Sequence, residues 1–371
     1  MDGNPNGKLR VGIAGLGRIF SLHARGYAGR DDVAIVALFD LDTARAEAEA
    51  RAWPGAVAVA SFEDLIAQDL DLIEILTPHP FHADQVVAAL ERGCHVSVQK
   101  PMAMTLAEAD RMIAAAKAAG KQFRVFENFR FYPPLAKARQ LIEEGAIGRP
   151  LHCRMRTVAG DPSKAWSVGG DTWRWRAAVF EKYRAGRLTF DDGHHRMATA
   201  LWFFGPVRDV FARIDISETP FGQIDAPASI TWRHVDPPVH VIWDVVHAPR
   251  MAIRTDYYSL DECFEITGEL GVITVTRATG RMIDQPVLTL YRDGEVRAFH
   301  NLESDWGASF AAATGAMIDA LKAGGAAPIS GTEGRAVLEL GLAIAESAAR
   351  EQPVTLAPAK GAATMADADG H

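Results

Sequence analysis

The sequence predicts an α/β fold class in two parts: an N-terminal doubly wound parallel sheet, then a C-terminal α+β domain with a large open, mostly antiparallel sheet. A chain of 371 residues is long for one hydrophobic core and suits two domains. Up to about residue 126, short apolar runs alternate with helical patterns, as in strand–helix–strand units. Beyond about residue 131, runs with period-two alternation follow one another without helices between them, which favours an antiparallel sheet.

The N-terminal part is predicted to be a Rossmann domain over residues 8–129. Its strands are continuous apolar runs, typical of a parallel sheet that helices cover on both faces. A helix is predicted from about Ile19 to Gly29, and the later helices HADQVVAALERG and LAEADRMIAAAKAAG each end at a glycine. The first strand, RVGIAG, breaks into a glycine-rich turn, which narrows the prediction to a doubly wound fold.

Residues 130–357 are predicted to form a substrate-binding and oligomerisation domain. One helix, LAKARQLIEEGAIG, precedes strands such as LHCRMRTVAG and VHVIWDVVHA, and two helices are expected at about 306–323 and 332–351. An open sheet needs cover on its second face, so a homodimer or homotetramer through this sheet is expected. Residues 1–7 and 358–371 are polar or of low complexity and are predicted to be mobile tails.

Composition argues against several classes of protein. The formal net charge of −8 gives no basic field that would attract nucleic acid or an anionic membrane. The chain has no apolar run of about 18 residues, and its first residues lack the apolar core of a secretory signal. Cys94, Cys153 and Cys263 are too widely spaced for a disulfide framework or a zinc motif. A cytoplasmic protein is therefore expected.

The glycine-rich turn and a later acid predict a dinucleotide site. In the fingerprint G-x-G-x-x-G, Gly15 permits the tight turn and Gly17 lets backbone amides approach a pyrophosphate, whereas Phe20 replaces the third glycine. Asp40 ends the second strand 25 positions after Gly15, where an acid accepts hydrogen bonds from ribose hydroxyls. No arginine follows immediately, although Arg45 lies one helical turn away. The sequence therefore favours NAD over NADP as the cofactor.

Three further motifs carry a resemblance to a known family. They are LTPHPFHADQVVAAL from residue 76, GCHVSVQKPMAMTLAEA from residue 93 and DDGHH from residue 191. With the glycine-rich turn, they resemble the Gfo/Idh/MocA family, which includes glucose–fructose oxidoreductase and inositol 2-dehydrogenase. The resemblance runs from about Lys8 to Leu356. It implies an NAD-dependent oxidoreductase that acts on a CH–OH group of a sugar, cyclitol or sugar derivative.

The resemblance also implies a set of site residues. The family's E-K-P motif stands here as Gln99-Lys100-Pro101, so a glutamate's negative charge beside Lys100 is absent, and its D-x-G-x-H motif begins at Asp191. The implied catalytic residues are Lys100, Asp191 and His195. The implied cofactor contacts are Gly15, Gly17, Arg18, Ile19, Asp40, Thr77, Pro78, His82, Gln99, Lys100 and Asn128.

The chemistry of alcohol oxidation agrees with these three catalytic residues. A base must take the hydroxyl proton while hydride leaves for the nicotinamide, and His195 suits that task near neutral pH. Asp191 lies four positions earlier, on the same helical face, where it could orient the imidazole or contact the substrate directly. Lys100 would stabilise the negative charge that develops on the hydroxyl oxygen.

Further substrate contacts are expected from side chains that suit sugars. The segment before DDGHH is rich in aromatic residues, which stack on sugar rings, and in arginines, which bind hydroxyls or carboxylates. Its candidates are Trp173, Arg174, Trp175 and Arg176, and the other expected substrate contacts are Lys100, Asp191, His194 and His195. No metal site is predicted, because the adjacent histidines cannot both face one site on a helix and no third ligand is marked by spacing.

Three functions remain open from the sequence. The first is a dehydrogenase that oxidises a secondary hydroxyl and releases NADH. The second is an NAD-using glycosidase, known in the family, in which transient oxidation at C3 enables elimination and NAD is regenerated. The third is a non-catalytic NAD-binding regulator. The intact set of Lys100, Asp191 and His195 argues against the regulator, because a sensor has no need of all three.

Overall fold

The computed structural model of the chain describes residues 7–161, 166, 186–219, 222–282 and 285–356. The sequence-predicted substrate contacts Trp173, Arg174, Trp175 and Arg176 lie outside the described residues.

The N-terminal part forms a parallel sheet, which confirms the predicted Rossmann fold. Every neighbouring pair of strands is parallel. The strand order is 3-2-1-4-5-6, so the order reverses beside the first strand, and ligands of open α/β sheets bind at such a reversal. The strands are β1 (Leu9–Ala14), β2 (Val33–Phe39), β3 (Val57–Ala58), β4 (Leu72–Ile75), β5 (His95–Val98) and β6 (Phe123–Val125).

Helices connect these strands, and one of them is shorter than predicted. The helix expected from about Ile19 to Gly29 ends at Ala24, and the chain continues in turns. At Gly26 a Cβ would lie 2.4 Å from the Thr314 side chain, so the backbone approaches another helix too closely for an ordinary helical residue. The helices are α1 (Phe20–Ala24), α2 (Thr43–Ala50), α3 (Phe62–Ile66), α4 (His82–Glu91) and α5 (Leu106–Ala119).

Among the described residues, nine strands form the second sheet, in the order 16-15-14-13-7-12-11-8-17. Their neighbours are antiparallel except for one parallel pair, Pro150–Ala159 with His240–His247, so the prediction of a mostly antiparallel sheet is confirmed. A separate hairpin consists of β9 (Ser217–Thr219) and β10 (Gly222–Ile224). The nine strands are β7 (Pro150–Ala159), β8 (Val207–Ile214), β11 (Ala228–His234), β12 (His240–His247), β13 (Leu260–Gly268), β14 (Gly271–Val275), β15 (Leu288–Arg292), β16 (Glu295–Phe299) and β17 (Val354–Thr355).

Four helices in the described part of the later chain pack against the sheets. They are α6 (Pro133–Glu143), α7 (His194–Phe204), α8 (Trp306–Lys322) and α9 (Gly331–Arg350), and a π-helix (Arg187–Asp192) leads into α7. Met317, Ile318 and Leu321 of α8 pack in the same core as β1. On α9, Ser347 Oγ accepts a hydrogen bond from the Ala212 N–H of β8 at 3.0 Å. The two closing helices therefore lie where predicted, and they brace both sheets.

The large sheet has one buried and one exposed face. On β12, Val241, Trp243 and Val245 are fully buried, whereas Ile242 and Val246 are 38% and 45% exposed. This period-two pattern is that of a strand whose inner face is covered by helices. No described helix combines the length and apolar character needed to cross a membrane.

Candidate active site

A cleft of about 1390 Å³ lies at the carboxyl ends of the parallel strands, between the two sheets. One wall is built from the loops that follow β1, β2, β4 and β5. The opposite wall comes from the π-helix, the first turn of α7 and the loop before β13. The cleft thus lies where the strand order of the parallel sheet reverses, which is the usual ligand position in this architecture.

The turn after β1 can be made only by glycine at its first position. Gly15 has a φ of +92°, and a Cβ there would lie 2.8 Å from the carbonyl carbon of Leu76. Its N–H donates to the carbonyl of Phe39 at 2.8 Å, so the turn is held against the ends of β2 and β4. A Cβ on Gly17 would meet nothing within 4 Å. The backbone at Gly17 is therefore open to the cleft.

Asp40 is held at the edge of this turn. Its carboxylate accepts the N–H of Leu16 at 2.7 Å and the N–H of Asp42 at 2.8 Å. The guanidinium of Arg45 lies 3.3 Å from the same carboxylate. Asp40 lines the cleft, so its acceptor oxygens are fixed in position beside the glycine turn.

Lys100 and Asp191 meet across the cleft. Lys100 Nζ donates to Asp191 Oδ1 and to the Asp191 backbone carbonyl, both at 2.8 Å. The two side chains are only 15% and 10% exposed, which strengthens their interaction relative to one in bulk water. His79 Nε2 lies 3.8 Å from the same Asp191 oxygen. The contact between Lys100 and Asp191 joins the loop after β5 to the π-helix of the other domain.

His195 lines the cleft beside this pair, but Asp191 does not orient its ring. His195 Nδ1 lies 2.8 and 2.9 Å from the two carboxylate oxygens of Glu127, and the ring stacks on Phe129 at a centroid distance of 4.4 Å. The expectation that Asp191 could orient the imidazole is therefore wrong, because the Asp191 carboxylate binds Lys100 instead. Glu127 was not among the predicted site residues.

Gln99 connects Lys100 to a series of buried polar side chains. The Gln99 side-chain oxygen accepts the Lys100 N–H at 2.7 Å, and its nitrogen lies 3.0 Å from His23 Nε2. His23 Nδ1 in turn lies 3.1 Å from Glu74, and both side chains are fully buried. Burial raises the pKa of Glu74, but His23 and Arg124 outweigh that effect and lower it. An amide at position 99 suits this arrangement, because it can accept from Lys100 and donate to His23.

Two family models match this chain over most of its length. Residues 9–127 match the model described as "Oxidoreductase family, NAD-binding Rossmann fold", and residues 135–274 match the "GFO/IDH/MocA C-terminal domain". The chain belongs to the Gfo/Idh/MocA family. It is therefore a member of an oxidoreductase family with an NAD-binding Rossmann domain.

Several relatives of this family member are named as dehydrogenases. The chain is 27% identical to inositol 2-dehydrogenase 3 of Saccharopolyspora erythraea, over 94% of this chain and 96% of that protein. It is 37% identical to the 1-carboxy-3-chloro-3,4-dihydroxycyclohexa-1,5-diene dehydrogenase of Comamonas testosteroni, over 38% of this chain and 36% of that protein. Identity to the D-glucoside 3-dehydrogenase of Escherichia coli is 28%, over 53% of this chain and 54% of that protein. The last two matches thus span about a third and about half of those relatives.

Solved structures share the whole fold at lower identity. An oxidoreductase from Agrobacterium radiobacter in complex with NAD+, L-tartaric acid and magnesium has a TM-score of 0.77 at 21% identity, over 94% of this chain and 98% of that chain. The WlbA dehydrogenase from Bordetella pertussis, in complex with NADH and UDP-GlcNAcA, has a TM-score of 0.76 at 22% identity, over 96% of this chain and 100% of that chain. These similarities show that the chain shares its two-part fold with those proteins.

Most of the sequence-predicted site residues in the described part of the chain line the cleft. Those that do are Gly15, Gly17, Arg18, Ile19, Asp40, Thr77, Pro78, Gln99, Lys100, Asp191 and His195. Their convergence from loops far apart in sequence follows from the parallel sheet, whose strands all end at one edge.

His82 and Asn128 do not line the cleft, contrary to expectation. His82 is fully buried, with Nε2 2.7 Å from the Thr77 carbonyl and Nδ1 3.0 Å from the Pro101 carbonyl. It therefore joins the loops after β4 and β5 from behind. Asn128 Nδ2 donates to Ser309 Oγ of α8 at 2.8 Å, away from the cleft.

The prediction that His194 contacts the substrate is also wrong, because His194 does not line the cleft. It is 3% exposed and faces a second cavity, with Nε2 3.7 Å from Glu127 Oε2. Burial lowers its pKa to about 3, so it is neutral at physiological pH. Adjacent positions on a helix point about 100° apart, which explains why only His195 enters the cleft.

The sequence also missed an aromatic wall of the cleft. Trp166, Tyr258, Trp306 and Phe310 line it together with His247. The ring of Trp166 lies 5.4 Å from that of Tyr258, and the Trp306 ring lies 4.8 Å from that of Phe310. No spacing in the sequence marks these residues, because they come from separate loops and a helix. Within the described ranges, no group of three or more His, Cys, Asp or Glu residues is arranged to hold a metal ion.

Gly15→Ala tests the turn. The left-handed φ and the contact with Leu76 should lower the free energy of unfolding by at least about 1–3 kcal/mol, measured by urea denaturation. Gly17→Ala is the matched control, because its Cβ enters open space, and it should change stability little. Equal stability of the two variants would show that the backbone at Gly15 is not constrained in this way.

Proposed function

We propose that the protein is an NAD-dependent oxidoreductase that oxidises a secondary hydroxyl of a sugar, cyclitol or sugar derivative by hydride transfer. One observation carries the proposal. Lys100, paired with Asp191, and His195 face the same cleft as the Gly15 turn and Asp40. A cation, a base and a dinucleotide cradle in one cleft are the parts that alcohol oxidation requires.

The residues of the cleft fit a bound NAD. The open backbone at Gly17 would receive the pyrophosphate, and the fixed carboxylate of Asp40 would accept the adenosine ribose hydroxyls. Thr77, Pro78 and Gln99 would line its path toward Lys100. When bound, NAD supplies the acceptor for the hydride that leaves the carbinol carbon.

The side chains of the chain handle the proton and the charge. His195 takes the hydroxyl proton as general base. The ammonium of Lys100 stabilises the negative charge that develops on the substrate oxygen. Asp191 holds Lys100 at 2.8 Å and so fixes where that positive charge is presented. The aromatic wall keeps water from the reacting atoms and offers faces on which a sugar ring packs.

The names of the relatives support a polyol as substrate. They include inositol, D-apiose and D-glucoside dehydrogenases, all of which are named for compounds rich in secondary or ring hydroxyls. We therefore propose a polyol as the class of substrate.

Turnover of purified protein with NAD tests the proposal. We expect NADH to accumulate with a member of a panel of cyclitols, sugars, sugar acids and glycosides. Lys100→Ala and His195→Ala should each lower kcat by about 10²–10⁴-fold, because each removes a group that acts on the reacting atoms. Lys117→Ala and His300→Ala, which change exposed residues outside the cleft, are the controls.

Three outcomes would contradict this assignment. Cleavage of a glycoside without net NADH would identify the redox-neutral glycosidase instead. Binding of NAD without turnover of the panel or of any cell extract would favour a regulator. Full activity of both Lys100→Ala and His195→Ala would place the chemistry on other residues.

Asp40→Ser tests the preference for NAD over NADP. Loss of the carboxylate removes charge-assisted hydrogen bonds, which should lower kcat/KM with NAD by about 10–100-fold. The same change leaves Arg45 without its Asp40 partner and so shifts the NADP-to-NAD ratio of kcat/KM upward. Asp42→Ser, which alters an acid outside the cleft and retains the helix cap, is the control. An unchanged ratio in Asp40→Ser would remove Asp40 from cofactor selection.

We also propose that a second copy of the chain covers the outer face of the large sheet. Phe211, Ile242 and Val246 expose apolar surface on that face. Val246→Glu should reduce the mass measured by size-exclusion chromatography with light scattering, because a carboxylate would be buried between the copies. Val57→Glu, at a similarly exposed valine on the other sheet, should not. An unchanged mass in Val246→Glu would place the interface elsewhere.

A further inference from the structure

Glu127 is the buried group in closest contact with the proposed base. It lies two residues after β6, is 3% exposed, and points both carboxylate oxygens at His195 Nδ1. The backbone N–H of Phe129 donates to Glu127 Oε1 at 2.7 Å, which fixes the carboxylate. His195 itself is clamped by its stack on Phe129. Neither ring nor carboxylate is free to turn away.

Glu127 is ionised in this position. Burial raises the pKa of its carboxyl group, but the contact with His195 and the Phe129 N–H outweigh burial and lower it to about 2. An ionised carboxylate only accepts hydrogen bonds. His195 Nδ1 must therefore carry a proton, so in the neutral imidazole Nε2 is the nitrogen that has the free lone pair.

We propose that Glu127 is the positioning residue of His195, which fixes the tautomer that makes Nε2 the base and balances the charge when Nε2 takes the substrate proton. This inference rests on the proposed function and deepens it. In the step, the hydroxyl proton moves to Nε2, the Nδ1–H bond stays intact, and the imidazolium faces the carboxylate. One proton is held on His195 for each hydride that leaves.

The other charges around His195 do not replace Glu127 in this role. Lys100 and Asp191 are paired with each other. Arg196, the next residue on α7, is paired with Glu262 at 2.7 Å and with Asp192 at 2.9 Å. His194, close to the other side of the Glu127 carboxylate, is neutral. Glu127 is thus the anion in direct contact with the imidazole among the described residues.

A second cavity gives access to Glu127 from behind. This rear cavity has a volume of about 330 Å³, and its lining includes Glu127 and His194 but not His195. Its other polar residues are Arg130, Thr199, Glu333 and Glu339. Glu127 therefore forms part of the wall between the rear cavity and the cleft. Truncation of Glu127 would open a route by which a small carboxylate could reach His195 Nδ1 without entering the cleft.

The first arm of the test is chemical rescue. Glu127→Ala and Glu127→Gln should each lower kcat by about 10²–10⁴-fold on the substrate found in the panel, with a smaller change in KM. Formate should restore part of the kcat of Glu127→Ala in a saturable way, and should not help Glu127→Gln, whose side chain still fills the site. Glu127→Asp should retain more activity than either variant. Glu339→Ala is the control, because it removes a rear-cavity carboxylate that does not touch His195. It should keep the wild-type kcat, and formate should not change that kcat.

The second arm needs no substrate and separates the inference from the proposed function. In NAD-loaded protein labelled with ¹⁵N-histidine, His195 should give the spectrum of the Nδ1–H tautomer, and Glu127→Gln should alter it. Unchanged His195 resonances in Glu127→Gln, or near-normal kcat of Glu127→Ala without any response to formate, would overturn the role of Glu127. If the wild type turns over nothing but shows the Nδ1–H tautomer that Glu127→Gln alters, the dehydrogenase proposal fails while the Glu127–His195 pairing stands.

Discussion

The contact between Lys100 and Asp191 is the interaction on which the arrangement of the cleft depends. Lys100 follows a strand of the parallel sheet, and Asp191 belongs to the π-helix that leads into α7. Both groups are largely withdrawn from water, and such charges are costly unless they are paired with good geometry. The pairing therefore links the two walls of the cleft at the position where His195 also faces it.

Behind each reactive side chain lies a buried polar partner. The backbone of Lys100 is held by Gln99, which continues through His23 to the fully buried Glu74. His195 is held by Glu127 in the same way. Such partners restrict the side chains to one orientation before a ligand arrives, so less ordering is left for binding and catalysis. These buried polar groups thus position the reactive side chains of the cleft.

The sequence predicted the fold and one wall of the cleft because both depend on local patterns. Strand–helix alternation specified the parallel sheet, and period-two runs specified the large sheet. Gly15 and Asp40 could be identified because a positive φ and a strand end leave marks at fixed positions. The aromatic wall left no such mark. Trp166 and Phe310 come from distant parts of the chain, and only the tertiary fold brings them together.

The errors at His194, Asn128 and Glu127 share one feature. Each concerns two adjacent residues, of which one faces a functional group and the other faces away. On α7, consecutive side chains diverge by about 100°, and the starting phase of the helix decides that His195 and not His194 enters the cleft. Glu127 and Asn128 lie in the loop after β6, where the path of the loop decides which of them faces His195. Asp191 and His195 do line the same cleft, yet the imidazole binds a carboxylate 68 positions away in sequence. The spacing within a motif predicts which of its side chains can be neighbours. The partner of His195 depends instead on the tertiary fold, which packs the loop that carries Glu127 against it.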